Sequence, residues 1–266
     1  MAGAPGPHLA RILAKKSAEV AELKSRVDRR DLKRRAEDVP PARDFKAALR
    51  DCPRVPIIAE IKKASPSAGT IKSGVDVGRL AQEYQAGGAA ALSVLTDGPF
   101  FGGSLADLTE AREAVNLPVL CKDFLIDPLQ LYQARIAGAD AVLLIVAALE
   151  PVQLAELFYE ALELGLTPLV EVHREEETAT ALSLNPPLIG LNNRDLTTLE
   201  VSLDACIKLR PLVTNGALVV AESGVNEPAD IARLRAAGLD AFLVGTALMR
   251  AADPKALLAA LSRSGS

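Results

Sequence analysis

From residue 55 onward the chain alternates short, almost wholly apolar segments with longer amphipathic ones, and it does so eight times. The apolar segments are VPIIAEI (55–61), AALSVLT (90–96), PVLCK (118–122), AVLLIV (141–146), PLVEV (168–172), LIGLN (188–192), ALVVAES (217–223) and AFLVG (241–245). They are rich in Val, Ile and Leu with little polar alternation, which suits parallel strands buried on both faces. Several of the intervening helical segments close on a glycine at the expected C-cap, as at Gly88, Gly138, Gly165 and Gly238. Eight strand–helix units in about 220 residues is the arithmetic of an α/β fold, the (β/α)8 TIM barrel. An open doubly wound sheet is the rival. It usually has fewer strands, and its nucleotide-binding form wants a glycine-rich turn after the first strand. Here that strand ends in Glu60-Ile61-Lys62-Lys63 instead.

The part before residue 55 has another character. Residues 8–36 read as one highly charged helix with an apolar stripe of Leu9, Ile12, Leu13, Val20 and Leu23. Val39-Pro40-Pro41 stops it, and a second short helix is expected at Phe45–Arg50. The expected organisation is an N-terminal helical extension over 1–46 and a catalytic barrel over 47–266. An exposed stripe of that length invites aggregation, so it is expected to cover something, and the barrel's catalytic mouth is the expected place.

Composition removes several function classes. Lysine and arginine number 30 against 34 aspartates and glutamates, a formal charge of −4, which argues against nucleic acid as the main partner. Two histidines, His8 and His173, are too few for a multi-histidine metal centre. Three widely spaced cysteines, Cys52, Cys121 and Cys206, form neither a disulfide framework nor a zinc pattern. No apolar run reaches membrane-span length, and the first residues lack the apolar segment of a signal peptide. The expectation is a cytoplasmic protein that is a monomer or weak homo-oligomer, with no nucleic acid, membrane or metal partner.

In a parallel barrel the chemistry collects where strands end. Glu60 and Lys62 stand two apart at the first strand's end, and Lys122 ends the third. Glu171 lies in the fifth, Asn192-Asn193-Arg194-Asp195 ends the sixth, and Glu222-Ser223-Gly224 ends the seventh. The second and fourth end in neutral residues. Singly, each charge is a solvated rim group, Glu60 with Lys62 a structural ion pair, and 193–195 a loop with a helix entry. Together they form a ring of mixed charge around one mouth, a source of shifted pKa values and acid–base pairs. Ser223-Gly224 and Gly245-Thr246 allow a phosphate to approach the backbone, where ordinary turn glycines are the alternative. The Ser65–Gly69 loop adds a hydroxyl to that anion or is a plain turn. Phe101 and Phe124 line an aromatic pocket or pack in the core. Cys121 points to the helix layer as core, and His173 reads as a rim residue.

At these residues the chain resembles a known family. IIAEIKKASPSAG, SVLTD followed by FFGGS, LCKDFLIDPLQ, GADAVLLIV, LVEV, IGLNNRDL, AESGV and FLVGTALM, in this order and spacing, closely resemble indole-3-glycerol phosphate synthase. The L-x-x-I-L-x-x-K start of the leader is similar to the family's N-terminal extension. The loop at Asp97-Gly98-Pro99-Phe100 departs from the many members that carry a second acidic residue there. The resemblance implies a cofactor-free carbon–carbon lyase of tryptophan biosynthesis. It would convert a small phosphorylated substrate, 1-(o-carboxyphenylamino)-1-deoxyribulose 5-phosphate, to indole-3-glycerol phosphate, carbon dioxide and water. It further implies Lys122 as general acid of ring closure, Lys62 and Glu171 as candidates for the dehydration, and Glu60 with Asn192 for orienting hydroxyls or acting as base. Glu222 would fix the lysine–glutamate network. Ser65, Ser223, Gly224, Gly245 and Thr246 would hold the phosphate, and Phe101, Phe124 and Leu143 would contact the anthranilate ring. Arg194 and Lys62 would meet the carboxylate. A Schiff-base aldolase, a sugar-phosphate isomerase and a phosphate sensor are the rival readings of the same mouth.

Overall fold

A computed structural model describes residues 6–66, 68–214 and 216–263; Ser67 of the polar loop after the first strand lies outside the described residues, as do the ends of the expected extension and barrel. All eight expected strands are present: β1 (Ile57–Ile61), β2 (Ala91–Leu95), β3 (Val119–Lys122), β4 (Ala141–Ile145), β5 (Thr167–Val172), β6 (Leu188–Asn192), β7 (Leu218–Glu222) and β8 (Ala241–Val244). Each pairs in parallel with its neighbours in sequence, and β8 closes on β1, so no strand edge is left open. A two-stranded antiparallel pair, Ala64–Ser65 with Gly69–Thr70, decorates the loop after β1.

Around the barrel run α1 (Pro7–Arg26), α2 (Arg29–Glu37), α3 (Phe45–Arg50), α4 (Val77–Gly87), α5 (Gly98–Phe101), α6 (Leu105–Ala114) and α7 (Pro128–Ile136). The second half adds α8 (Pro151–Glu163), α9 (Glu175–Ser183), α10 (Asp204–Leu209), α11 (Pro228–Ala236), α12 (Thr246–Arg250) and α13 (Pro254–Arg263). Two expected helices are each split in two. The leader breaks at Val27, which is extended, because the Asp28 carboxylate accepts hydrogen bonds from the amides of Arg30 and Asp31 and starts a new helix. The last helix breaks before Pro254, which starts α13 where its missing N–H is harmless.

Two apolar layers hold the barrel. Alternate strand residues such as Ile58, Leu120, Leu143, Leu169, Leu188, Val220 and Leu243 fill the lumen. Phe45 and Leu49 of α3 join this lumen cluster. The expected 46/47 boundary therefore falls inside a helix that belongs to the barrel's core. The other strand faces, with Cys121 among them, pack against the outer helices. The leader is tied to the barrel as well: the Arg43 guanidinium donates to the carbonyls of Val115 and Leu117, and Arg135 donates to the Pro40 carbonyl.

The unit from β3 to β4 recurs from β7 to β8 at a spacing of one hundred residues. Asp127-Pro128 and Glu227-Pro228 both open helices with capping boxes. Asp140 accepts from the Val119 amide at 2.9 Å, and Asp240 from the Val219 amide at 2.8 Å. Lys122 and Glu222 occupy matching positions in the two units.

Candidate active site

Each barrel strand contributes side chains from its C-terminal half to one cavity: Glu60, Leu95, Lys122, Ile145, Glu171, Asn192, Glu222 and Leu243 in chain order. All the candidate residues meet there. Lys62, Ser65, Phe101, Phe124, Leu143, Arg194, Ser223, Gly224, Gly245 and Thr246 line the same cavity with those strand ends. Asp123 sits beside Lys122 at its edge.

The charges are arranged as two lysines, each gripping a carboxylate. Lys62 Nζ lies 2.6 Å from Glu60 Oε1. Lys122 Nζ lies 2.6 Å from Glu222 Oε2 and 3.4 Å from Glu171 Oε2. All three glutamates are buried, so their charges are compensated by these partners rather than by water. Burial works against the Lys122 charge, but Glu222, Glu171 and Glu60 outweigh it and raise the ammonium well above the ordinary lysine range. The two carboxylates beside it are pushed apart. Burial works against ionising Glu171, yet Lys122 and His173 outweigh it and hold that carboxyl below the usual range. Burial raises Glu222 against the pull of Lys122, and the negative Glu171 adds to the rise. Glu171 therefore stays ionised, while Glu222 is the one of the two that more readily takes up a proton.

Two glycines make room for these carboxylates. A Cβ built on Gly245 would lie 2.1 Å from Glu60 Oε1, and one on Gly190 would lie 2.1 Å from Glu222 Oε1. Gly245 thus has a reason beyond phosphate approach. The corner near β7 is shaped by Ser223 and Gly224, both left-handed at φ of +64° and +85°. Asn193 braces it: its amide group donates to the Ser223 carbonyl at 2.9 Å, while its carbonyl oxygen accepts from the Cys206 amide at 3.1 Å. Asn192 Oδ1 accepts from the Arg194 amide, and the Arg194 guanidinium donates to the Leu199 carbonyl. The Phe101 and Phe124 rings stand 6.1 Å apart at the cavity wall, so they line the mouth rather than the deep core.

The stripe residues Leu9 and Ile12 reach the mouth as expected, whereas His8, Lys16 and the burial of His173 escaped the sequence reading. His8, Leu9 and Ile12 of α1 line the cavity, so the extension does lie against the mouth. Lys16 is buried and pairs with Asp97 at 2.9 Å and Asp123 at 2.8 Å. Burial opposes its charge, but Asp123 and Asp97 overcome this and raise it above the lysine range. A signal for it existed: Lys16 falls on the apolar stripe itself, between Ile12 and Val20. His173 is no rim residue; its side chain is 3% exposed, with Nε2 3.2 Å from Glu171 Oε1.

Three comparisons bear on this geometry. The family model described as indole-3-glycerol phosphate synthase matches residues 9–261. A protein of Rhodopirellula baltica named indole-3-glycerol phosphate synthase is 48% identical over 252 residues, covering 93% of this chain and 97% of that protein. Among solved structures, thiamine phosphate pyrophosphorylase from Pyrococcus furiosus aligns with a TM-score of 0.60 at 17% identity, covering 82% of this chain and 96% of that one. The 3-hexulose-6-phosphate synthase of Salmonella typhimurium aligns with a TM-score of 0.64 at 13% identity, covering 79% of this chain and 97% of that one. At such identities these two speak to the barrel alone. The match along nearly the whole sequence, by contrast, is to a single family, and the chain belongs to it: the indole-3-glycerol phosphate synthases.

Proposed function

We propose that this chain carries out the indole-3-glycerol phosphate synthase reaction with Lys122 as the general acid of ring closure. The carrying observation is the Lys122 ammonium, held at the mouth between Glu222 at 2.6 Å and Glu171 at 3.4 Å. When the aryl carbon attacks the C2′ carbonyl, its oxygen becomes an alkoxide, which is more basic than an amine. Proton transfer from Lys122 is then downhill even though its neighbours raise its pKa. The new carbon–carbon bond forms as the carboxylate leaves as carbon dioxide, which restores the aromatic ring. Dehydration then needs a proton on the departing C2′ hydroxyl and a base for the proton lost from the heterocycle. Lys62 with Glu60, and Glu171, are the acid and base groups for that step. The reaction is redox-neutral and asks the protein to move only protons, so side chains suffice and no cofactor is invoked.

The phosphate belongs at the corner made by Ser223, Gly224, Gly245 and Thr246, and Ser65 of the same cavity lining offers it a hydroxyl. Phe101, Phe124 and Leu143 give the anthranilate ring an apolar wall, and Arg194 with Lys62 offers its carboxylate a cation. We read the chain as a cytoplasmic monomer or weak homo-oligomer; no helix among the described residues is long and apolar enough to cross a membrane. The deciding experiment follows product fluorescence for wild type and Lys122→Met. The substitution keeps the apolar stem and removes the proton donor, so turnover should fall at least ~100-fold with ligand affinity held within a few-fold. Turnover within a few-fold of wild type would remove Lys122 from this role.

A further inference from the structure

We propose that His173 is a positioning residue for this reaction: clamped between Glu171 and Glu177, its ring fixes Glu171 in the orientation that presents one oxygen to Lys122. The inference rests on the acid–base assignment above and extends it to a residue outside the cavity lining. His173 follows the end of β5, and its Nε2 lies 3.2 Å from Glu171 Oε1. Its Nδ1 faces Glu177 Oε2 of α9 at 3.7 Å. That carboxylate is itself anchored, because the His173 backbone amide donates to Glu177 Oε2 at 2.7 Å. Neither ring nitrogen has hydrogen-bond geometry to a partner among the described residues, so both contacts are ion-pair contacts.

A neutral imidazole has one N–H and one lone pair. With a carboxylate on each side, the lone pair would face an anion, so the doubly protonated ring is the form that fits. Burial works against that charge, but Glu171 and then Glu177 overcome it and lift the imidazole to about 9. The charge is needed at this place. Lys122 stands between two buried carboxylates and is 0.8 Å nearer to Glu222 than to Glu171, from 2.6 and 3.4 Å. One ammonium cannot neutralise both, and an uncompensated buried carboxylate would take up a proton. His173 supplies the second cation. It engages Oε1 of Glu171 and leaves Oε2 for Lys122, which fixes the plane of the carboxylate. The charged groups facing the ring are Glu171 from β5 and Glu177 from α9, with Lys122 and Glu222 one step further across the mouth. Arg174 and Arg194 are engaged elsewhere, with the Thr197 hydroxyl and the Leu199 carbonyl.

The test is His173→Asn in the full chain, assayed by product fluorescence from acid to neutral pH. Turnover should fall ~10-fold or more while KM changes less than ~3-fold, and the acid limb of the turnover profile should move up by about one pH unit. A merely structural histidine would lower stability and leave that limb in place. A folded variant with turnover within twofold and an unmoved limb overturns the proposal. If His173→Asn does not fold, Glu177→Gln decides, since it keeps the ring and can still accept from the His173 amide. With that anion gone the imidazole loses its proton at lower pH, so the fall in turnover on the alkaline side, followed to about pH 10, should move down, and no movement overturns the proposal. Wild-type protein without synthase activity defeats the parent assignment; active wild type with indifferent variants defeats the role of His173 alone.

Discussion

Replacing Gly245 by alanine tests whether the geometry of the carboxylates limits turnover. The backbone there has a negative φ of −121°, so the left-handed strain of a positive φ does not enter, and the effect is traced to the added methyl group. That methyl would lie 2.1 Å from Glu60 Oε1, 2.8 Å from its Cδ and 3.2 Å from its Cβ. Ordinary contact starts near ~3.5 Å, so the carboxylate end must retreat by more than about 1 Å. It has little room to swing, being 2% exposed and held by Lys62 at 2.6 Å. Displacing a catalytic group by about 1 Å lowers rates roughly 100-fold, equivalent to about 2.7 kcal/mol in the barrier. Overpacking of this kind lowers stability by about 1–3 kcal/mol, which the fold should survive. Steady-state fluorescence gives kcat and KM, titration with a phosphate-bearing product analogue gives Kd, and a thermal melt reports folding. The expected result is a kcat loss near 100-fold with Kd changed a few-fold. Wild-type kcat would show that Glu60 tolerates displacement or takes no part. A weakened Kd with kcat intact would assign Gly245 to the phosphate alone.

Other perturbations probe the rest of the scaffold. Lys16→Met leaves Asp97 and Asp123 buried without their cation and should lower stability by about 3–5 kcal/mol in urea unfolding, with α1 loosened from the mouth; a change under ~1 kcal/mol would make the pairing incidental. Phe45→Ala empties part of the lumen cluster outside the cavity lining and should lower stability by about 3–5 kcal/mol with kcat unchanged, so a lost kcat in a folded variant would contradict that separation. His173 is raised from 6.5 to about 9, so its contribution to stability is complete below pH 6.5 and is lost as pH rises through 9. Urea unfolding at three pH values across that window should show wild type weakening and His173→Asn nearly flat, and parallel slopes would refute a buried imidazolium.

The barrel was legible because its strands are buried on both faces, so apolar runs stand out against amphipathic helices without any need for pairing information. The mouth was legible for a related reason. A charge at the end of an apolar run is an anomaly that demands a partner, and Glu60, Lys62, Lys122, Glu171 and Glu222 were all found that way. What stayed hidden depends on tertiary distance. Leader residues 8–36 look like one helix because Asp28 caps as readily as it decorates a helix surface, and only the bend at Val27 separates the two uses. His173 looks like a rim residue because nothing in the segment VEVHREEE says which carboxylates fold back on it.

Lys16 and Glu222 show that some of this hidden information was present in other forms. Leu9, Ile12, Lys16, Val20 and Leu23 stand at helical spacing, so the lysine interrupts an apolar stripe as surely as Lys122 interrupts an apolar strand. The rule that located the charges at the mouth would have located Lys16 had it been applied to helices. The one-hundred-residue repeat carries more. Its two copies set Lys122 and Glu222 at equivalent strand ends, and in the closed barrel these two meet at 2.6 Å. Opposite charges at equivalent places in a repeated unit are therefore a tertiary contact written in the sequence. A closed barrel brings its strand ends around one mouth, where a long side chain from β3 can reach one from β7. Lys122 is thus held by the counterpart of its own position in the other unit, and the Gly190 hydrogen leaves that counterpart the space to be there.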